Sequence, residues 1–367
     1  MTGIAERAEA AARPPLLISG PFPPPVHGAA TITIGMAGAL AGYRRIVRAN
    51  LAVGRMPPEG GFDLGYHSAR LWRNLIALAS ILPYRARGGR SLYLACSGGH
   101  GIAYEIVLLA FARLLGLQRV VHHHSFKYID RRSRLMAALV GVGGRAMTHI
   151  FLCDGMRAAF EERYRPTRAL VLPNDYFVDR RRAPAGRADG PLRIGFLSNL
   201  TAEKGLPDFL ALLRAASAED LATGVLAGPA EGGNLAQIEA TQRDLGPKLD
   251  YRGPVHGPAK AQFFDDIDIF VFPTRYAHEA QPMVICEAMA VGLPVLAFDR
   301  GCIAGQLGDA LPPLDRNADF LPWALDHIRK FGADRTALAR LGEANAARAA
   351  AKAADGADVL RQIAEQP

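Results

Sequence analysis

The 367-residue sequence predicts two α/β domains, each built on a doubly wound parallel sheet. Short apolar runs alternate with longer amphipathic segments along the whole chain, which is typical of buried parallel strands connected by helices. The length exceeds what one hydrophobic core commonly serves. A stretch rich in glycine, proline and charge interrupts the alternation near the middle of the chain, at residues 180–191.

Eight apolar runs have the length and composition of buried strands. They are residues 16–19, 91–96, 120–124, 150–153, 192–197, 223–227, 267–272 and 294–298. Amphipathic segments between them predict helices at residues 102–115, 133–141, 207–216 and 282–290. We therefore predict a first domain at 1–182, a linker at 183–191, a second domain at 192–344 and an alanine-rich helical tail at 345–367.

Charge is distributed unevenly along the chain. Residues 1–185 carry 25 Lys and Arg against 11 Asp and Glu, a net +14, whereas residues 186–367 carry a net −6. The basic half predicts an anionic partner, such as a membrane surface or a lipid-phosphate acceptor, unless it reflects only an arginine-rich genome. Aromatic residues are not interleaved with these arginines, so we predict no nucleic-acid partner.

The beginning of the chain does not resemble a secretory signal, because residues 1–15 carry Glu6 and Glu9 and lack an apolar core. The apolar run at residues 106–117 is interrupted by Arg113 and is far shorter than the roughly 20 residues of a spanning helix. We expect a cytoplasmic protein that could lie peripherally on the inner face of the plasma membrane.

Two carboxylates eight residues apart, Glu279 and Glu287, flank Pro282. Proline is favoured as the first residue of a helix, where the free N–H groups of the first turn can bind phosphate. Carboxylates on either side can accept hydrogen bonds from the hydroxyls of a ribose or a hexose. This pattern predicts a nucleotide-sugar site, whose donor-binding residues here are Glu279, Ala280, Gln281, Pro282, Met283 and Glu287.

The same stretch resembles the Glu-x7-Glu motif of family 4 of the retaining glycosyltransferases, known as glycosyl transferases group 1. The resemblance continues through residues 292–295 and Gly301, and it includes residues 197–205 and 20–28. It implies the GT-B architecture, in which two Rossmann-like domains face a cleft. The first domain would bind the acceptor and the second the nucleotide-diphosphate sugar, and the C-terminal helix would pack back on the first domain.

The resemblance also implies roles for single residues. Lys204 would contact the donor diphosphate, Glu287 the ribose and Glu279 the transferred sugar, and Gly28 would approach the phosphates from the first domain. Asn199 stands where the family commonly has an arginine, so the site would hold one cation fewer. Arg193 and Arg275 are candidates to compensate for it.

Three consecutive histidines, residues 122–124, end a predicted strand. Side chains alternate in direction along a strand, so the three cannot jointly face one metal ion. The family has a histidine here that bonds the donor sugar, and His124 fits this role best, with His122 as the second choice. Asp266 and Asp268 begin a strand, where the family has a structural acidic residue, so we predict no metal site there.

These features together predict a metal-independent, retaining glycosyltransferase with no cofactor, in which Glu279, Lys204 and His124 form the catalytic set. The expected acceptor is a glycan or lipid-linked molecule of polysaccharide or glycolipid assembly. Two alternatives stay open. One is a protein of the same fold that binds nucleotide sugars without transferring them, and the other is a sugar-nucleotide epimerase or phosphorylase.

Overall fold

The protein folds into two compact units, here described from a computed structural model. Unit 1 comprises residues 1–177 and 354–367, and unit 2 comprises residues 178–353. The structure describes residues 13–25, 28–54, 63–181 and 190–365. Most of the predicted linker at 183–191 therefore lies outside the described residues.

Unit 1 is built on a parallel sheet of six strands. The strands are β1 (Leu16–Gly20), β2 (Ile46–Asn50), β3 (Ser91–Cys96), β4 (Gln118–His123), β5 (Thr148–Phe151) and β6 (Arg168–Val171). Their order in the sheet is β2-β1-β3-β4-β5-β6, so the winding direction reverses between β1 and β3. Such a switch point opens a crevice at the carboxyl ends of the strands, where α/β folds bind ligands.

Helices connect the strands of unit 1. They are α1 (Gly28–Ala41), α2 (Leu64–Ala86), α3 (Ile102–Leu114), α4 (Lys127–Asp130), α5 (Arg134–Gly143) and α6 (Asp154–Tyr164). A 3-10 turn at Asn174–Phe177 follows β6. No helix in the described parts of the chain is both long enough and apolar enough to cross a bilayer.

Unit 2 repeats the same architecture with five parallel strands. They are β7 (Leu192–Leu197), β8 (Ala222–Ala227), β9 (Leu249–Tyr251), β10 (Ile269–Phe272) and β11 (Val295–Ala297). The order is β11-β10-β7-β8-β9, which places the switch point of this sheet between β7 and β10. Buried aliphatic and aromatic side chains of the strands and of the flanking helices form one continuous core.

The helices of unit 2 lie between and after these strands. They are α7 (Leu206–Ala218), α8 (Gly232–Leu245), α9 (Gly257–Asp265), α10 (Met283–Ala290), α11 (Ile303–Leu307) and α12 (Phe320–Ala333). A last helix, α13 (Arg335–Glu365), is continuous across the predicted start of the tail at residue 345. Its residues up to 353 belong to unit 2, and those from 354 belong to unit 1.

The fold class predicted from the sequence, two doubly wound parallel-sheet domains, is confirmed. All eight predicted strands are present, with ends shifted by no more than two residues. Three further strands, β2, β6 and β9, were not predicted. Each of them lies at the edge of its sheet and is only partly buried, so it lacks the continuous apolar run that marks a central strand.

Candidate functional site

The topology of unit 2 brings two predicted site segments together. Strands β7 and β10 are parallel neighbours at the switch point, and the segments after their carboxyl ends lie side by side. The first segment contains Asn199 and Lys204, and the second contains Glu279. A direct backbone bond joins the segments, because the Arg275 N–H donates to the carbonyl of Glu203 at 2.8 Å.

Lys204 and Glu279 form an ion pair in which Nζ lies 2.6 Å from Oε2. Thr274 Oγ1 donates to the same carboxylate oxygen at 3.1 Å, and the ammonium lies 4.5 Å from the centre of the Tyr276 ring. Both charged side chains are mostly buried, with exposed fractions of 24% for Lys204 and 12% for Glu279. An ammonium has three donors, so Lys204 can bond Glu279 and a phosphate oxygen at once.

Two glycines allow the backbone to pass close to this pair. Gly205, directly after Lys204, has φ +93°, and a Cβ there would lie 2.1 Å from the carbonyl oxygen of Pro273. Gly301 has φ +56°, and its Cβ would lie 2.2 Å from the carbonyl oxygen of Glu279. Both positions combine a left-handed backbone with contact to main-chain atoms, so only glycine fits without strain.

Helix α10 begins one residue later than predicted. Pro282 is the residue before the helix, in an extended conformation, rather than its first helical residue. Its carbonyl accepts hydrogen bonds from the N–H groups of Ile285 at 3.1 Å and Cys286 at 3.3 Å. The N–H groups of Met283 and Val284 remain as first-turn donors that have no carbonyl one turn back within the helix.

The segment before α10 is held by the loop that follows β11. The carbonyl of Ala280 accepts a hydrogen bond from the Cys302 N–H at 2.8 Å, and Gln306 Nε2 lies 3.5 Å from the carbonyl of Pro282. Ala280, Gln281 and Pro282 are all buried. The start of α10 is therefore held by one backbone hydrogen bond and by one contact from the buried Gln306 side chain.

Glu287 is held by a lysine that the sequence did not indicate. Lys260 Nζ, from α9, lies 2.6 Å from Glu287 Oε1. The other oxygen, Oε2, is buried and has no hydrogen-bond partner within the described ranges. Burial raises the pKa of this carboxyl, and the Lys260 ammonium opposes the shift. Oε2 therefore has unused capacity to accept hydrogen bonds from a hydroxyl, and it must become exposed before a ligand can use that capacity.

We expect Lys260→Met to shift the pH dependence of nucleotide binding. Without the ammonium the pKa of Glu287 should rise further, since burial then acts unopposed. The ionised carboxylate is the stronger acceptor, so affinity is present above this pKa and is lost as the pH falls through it. Calorimetric titrations with a nucleoside diphosphate should show that the variant loses affinity at a higher pH than the wild type.

Lys260→Arg is the matched control, because it keeps the positive charge and should follow the wild-type profile. The ligand's own phosphate also titrates, but its effect on affinity is the same for all three proteins and cancels when their pH profiles are compared. Coinciding pH profiles of Lys260→Met and the wild type would show that Lys260 does not act on Glu287.

Neither of the two arginines considered as a second cation, Arg193 and Arg275, supplies an unbound guanidinium near Lys204. Arg193 lies at the start of β7, at the edge of the sheet opposite to Lys204, and its backbone N–H donates to Asp268 at 2.8 Å. Arg275 is nearby but forms two bonds to Asp208, at 2.9 and 2.8 Å, and its guanidinium covers the Phe298 ring at 4.6 Å. Asn199 itself is exposed, directly after β7.

Asp266 and Asp268 have structural roles at the amino end of β10. Asp268 accepts the Arg193 N–H, and Asp266 forms an ion pair with Arg252 at 2.8 Å. Burial opposes ionisation of Asp266, but bonds from Gln262 and Arg252 outweigh it and lower its pKa. No group of three or more metal-ligating side chains occurs in the described ranges.

The histidines of unit 1 point to alternate faces of the sheet, as predicted. His122 bonds the Tyr93 hydroxyl at 2.7 Å, and its ring lies 4.1 Å from that of His124. His123 points the other way and bonds Tyr128 and His149, both at 2.9 Å. Burial lowers the pKa of His124 to about 4, so it is neutral at physiological pH.

The ring atom His124 Nε2 is buried and has no hydrogen-bond partner in the described part of the chain. Because this atom is shielded from solvent, a ligand can reach it only after neighbouring side chains move. Gly28, the other predicted site residue of unit 1, is the first residue of α1 and is exposed. A Cβ at this position would meet nothing within 4 Å, so no contact within the described structure requires glycine there.

Comparison with known proteins gives a family match that lies within unit 2. Residues 191–320 match the family model described as Glycosyl transferases group 1, and this stretch contains Lys204, Glu279 and Glu287. A GDP-mannose-dependent alpha-mannosyltransferase of Mycolicibacterium smegmatis is 32% identical over 166 residues, which are 41% of this chain and 40% of that protein.

Solved structures extend the likeness to both units. HepE of Anabaena in complex with UDP matches with a TM-score of 0.69 and 15% identity, over 96% of this chain and 100% of HepE. The chain has the GT-B fold. TarM matches with a TM-score of 0.59 and 15% identity, over 75% of this chain and 55% of TarM. The chain thus spans about 40% of the curated relative's length and about half of TarM.

Three side chains of the site were missed by sequence reasoning. Thr274 and Tyr276 lie two and four residues after the end of β10, so their place after a strand end at the switch point was a usable signal. Lys260 gave no such signal, because α9 precedes β10 and only its packing brings the ammonium to Glu287.

Proposed function

We propose that the protein transfers a sugar from a nucleotide-diphosphate sugar to an acceptor, with the donor bound by unit 2. The observation that carries this proposal is the Lys204–Glu279 pair at the switch point, in the segments that precede the first turn of α10. The family match over residues 191–320 supports it, as do a relative named for GDP-mannose dependence and a structural neighbour solved with UDP.

Each side chain has a task that follows from its chemistry. The Lys204 ammonium and the N–H groups of Met283 and Val284 would hold the diphosphate and stabilise the charge that develops on it as the sugar leaves. Glu287 would accept ribose hydroxyls, which requires its Oε2 to become exposed when the donor binds, and Glu279 would accept hydroxyls of the transferred sugar. Asn199 would add a neutral donor where a second cation is common.

Retention of the sugar's anomeric configuration is part of the proposal. The motifs include no protein nucleophile, so attack on the same face is proposed, with the leaving phosphate oxygen taking the acceptor's proton. Catalysis would then come from positioning and electrostatics rather than from a covalent intermediate. The proposed roles of Gly28 at the phosphates and of His124 at the donor sugar rest on the family resemblance of their segments.

The proposed acceptor is a glycan or a lipid-linked molecule in polysaccharide or glycolipid assembly. Support for it comes from the net +14 of residues 1–185, which suits an anionic acceptor or the membrane that carries it. We propose accordingly that the protein works in the cytoplasm, peripherally on the inner face of the plasma membrane.

A transfer assay tests the function. Purified protein is incubated with radiolabelled UDP- and GDP-sugars and with membrane lipid or glycan fractions, and the product's anomeric configuration is read by NMR. Labelled product with the donor's configuration is expected. Donor binding without transfer to any fraction would favour a binding protein, conversion without an acceptor would favour an epimerase, and dependence on inorganic phosphate would favour a phosphorylase.

We predict that transfer needs no divalent metal. The diphosphate charge would be met by Lys204 and backbone N–H groups, and the two aspartates of the Asp-x-Asp sequence are engaged with Arg193 and Arg252. Activity measured in EDTA should equal that of untreated enzyme. Loss of activity in EDTA with recovery on adding Mn²⁺ would contradict this prediction.

A further inference from the structure

Helix α2 turns an apolar face to solvent. Six of the nine large hydrophobic side chains that are exposed in the described part of the chain lie on this one helix. Among them Leu64 is 71% exposed, Trp72 63% and Leu82 54%. Single exposed apolar residues are ordinary, but such a concentration on one element marks an interaction surface.

The spacing shows that these residues form one stripe. Leu64, Leu71, Leu75 and Leu82 follow one another at intervals of seven, four and seven residues, which places them on one side of a helix. Trp72 and Ile76 lie beside this stripe and widen it. We call these six residues the α2 stripe.

The opposite side of α2 is buried and fixed. Asn74, Ala77, Ile81 and Tyr84 face the interior of unit 1. The Tyr84 hydroxyl lies 2.6 Å from the carbonyl of Pro15 and 2.7 Å from that of Ser91, so it ties the helix to the starts of β1 and β3. Because the inner face is secured in this way, the stripe cannot turn inward without breaking these contacts.

The charges of α2 are all positive. The helix contains no aspartate or glutamate, and its exposed charges are those of Arg73 and Arg85, with Arg87 and Arg90 shortly after its end. Arg70 is half-buried on the inner side, where its guanidinium lies 5.8 Å from the centre of the Tyr104 ring. An apolar stripe bordered by arginines is typical of helices that lie in the plane of a membrane interface. Each arginine near an anionic lipid surface adds about a further fivefold to binding.

A second copy of the chain suits this surface less well than a lipid. Two α2 helices packed face to face would bring arginines together, and neither helix carries a carboxylate to pair with them. Anionic lipids satisfy both features, since their acyl chains cover the stripe and their head groups meet the arginines.

We propose that α2 docks unit 1 on an anionic bilayer surface, lying in the interface with the α2 stripe against the acyl chains. This proposal rests on the proposed function in one respect, namely the reason for membrane binding. It deepens that function by naming the surface through which the protein would reach a lipid-linked acceptor.

Trp72 gives a direct readout. The chain has two tryptophans, and Trp323 of unit 2 is only partly exposed, so Trp323→Phe leaves Trp72 as the single reporter. Vesicles of phosphatidylglycerol and phosphatidylcholine should shift its emission to the blue, and brominated lipid should quench it. Vesicles of phosphatidylcholine alone should give a much smaller effect.

Co-sedimentation of the full chain with the same vesicles tests the surface itself. Leu71→Ser/Leu75→Ser/Ile76→Ser should weaken binding by about tenfold or more, and Arg73→Gln by about fivefold. Ile34→Ser on α1 and Arg145→Gln after α5 are matched controls, exposed in the same unit, and should bind like the wild type. Circular dichroism confirms that each variant is folded.

Absence of vesicle binding would overturn the inference, as would equal binding of the triple variant and the wild type. A dimer that is seen by sedimentation velocity and lost in the triple variant, without vesicle binding, would assign the α2 stripe to self-association and also overturn it. Nucleotide binding measured on the same samples separates the two proposals, because it tests unit 2 alone.

Discussion

Glu279→Ala should lower the rate of sugar transfer by about a hundredfold and leave nucleoside diphosphate affinity unchanged or slightly tighter. The carboxylate would bond the transferred sugar, so its loss should reduce the stabilisation of the transition state. The same change releases Lys204, whose ammonium is bound to Glu279 Oε2 at 2.6 Å in this structure. The released ammonium can then pair with the diphosphate alone.

Steady-state kinetics with the intact donor, together with calorimetry of the nucleoside diphosphate, separate these two effects. Glu203→Ala is the matched control, because it removes an exposed carboxylate that neighbours Lys204 and should leave turnover near wild type. Loss of nucleotide binding in Glu279→Ala, with turnover at saturation unaffected, would contradict the role assigned to Glu279.

Lys204→Met should weaken nucleoside diphosphate binding by about tenfold to a hundredfold, since a charge-assisted hydrogen bond to phosphate is lost. Binding of the corresponding nucleoside, which has no phosphate, should change little. Calorimetry with both ligands measures the difference directly. Lys330→Met, on the exposed face of α12, removes a lysine of the same unit and should bind like the wild type.

A second variant is needed because Lys204→Met also affects Glu279. The variant leaves the Glu279 carboxylate, 12% exposed, without its cation, which itself destabilises the fold. The double variant Lys204→Met/Glu279→Gln has no unpaired charge and should show the same loss of diphosphate affinity. Recovery of affinity in the double variant would show that the single variant acted through Glu279 and not through a lost phosphate contact.

The sequence predicted which segments meet at the candidate site, because the topology of a parallel sheet is regular. Lys204 follows the apolar run of β7 and Glu279 follows that of β10, and carboxyl ends of parallel strands share one edge. Their direct ion pair was not predicted, since it depends on how the loops of residues 198–205 and 273–282 pack. Gly205 and Gly301 permit that packing, and the backbone angles that require them are visible only in the structure.

Other features could not be predicted for identifiable reasons. The Lys260–Glu287 contact joins two helices through side-chain reach, which leaves no periodic signal in the sequence. The start of α10 was placed one residue early, because proline is accepted both as the first helical residue and as the residue before it. The leucines of α2 would pass for core positions from composition alone, and only the structure shows that they face solvent.

The most direct test of the central claim is nucleotide binding by the purified protein. Thermal unfolding would be followed with UDP, GDP, ADP and dTDP and with their common sugar conjugates. A rise in unfolding temperature with one of the nucleotides is expected, together with its loss in Lys204→Met/Glu279→Gln. If folded wild-type protein shows no shift with any of these ligands, the assignment of unit 2 as a nucleotide-sugar site is wrong.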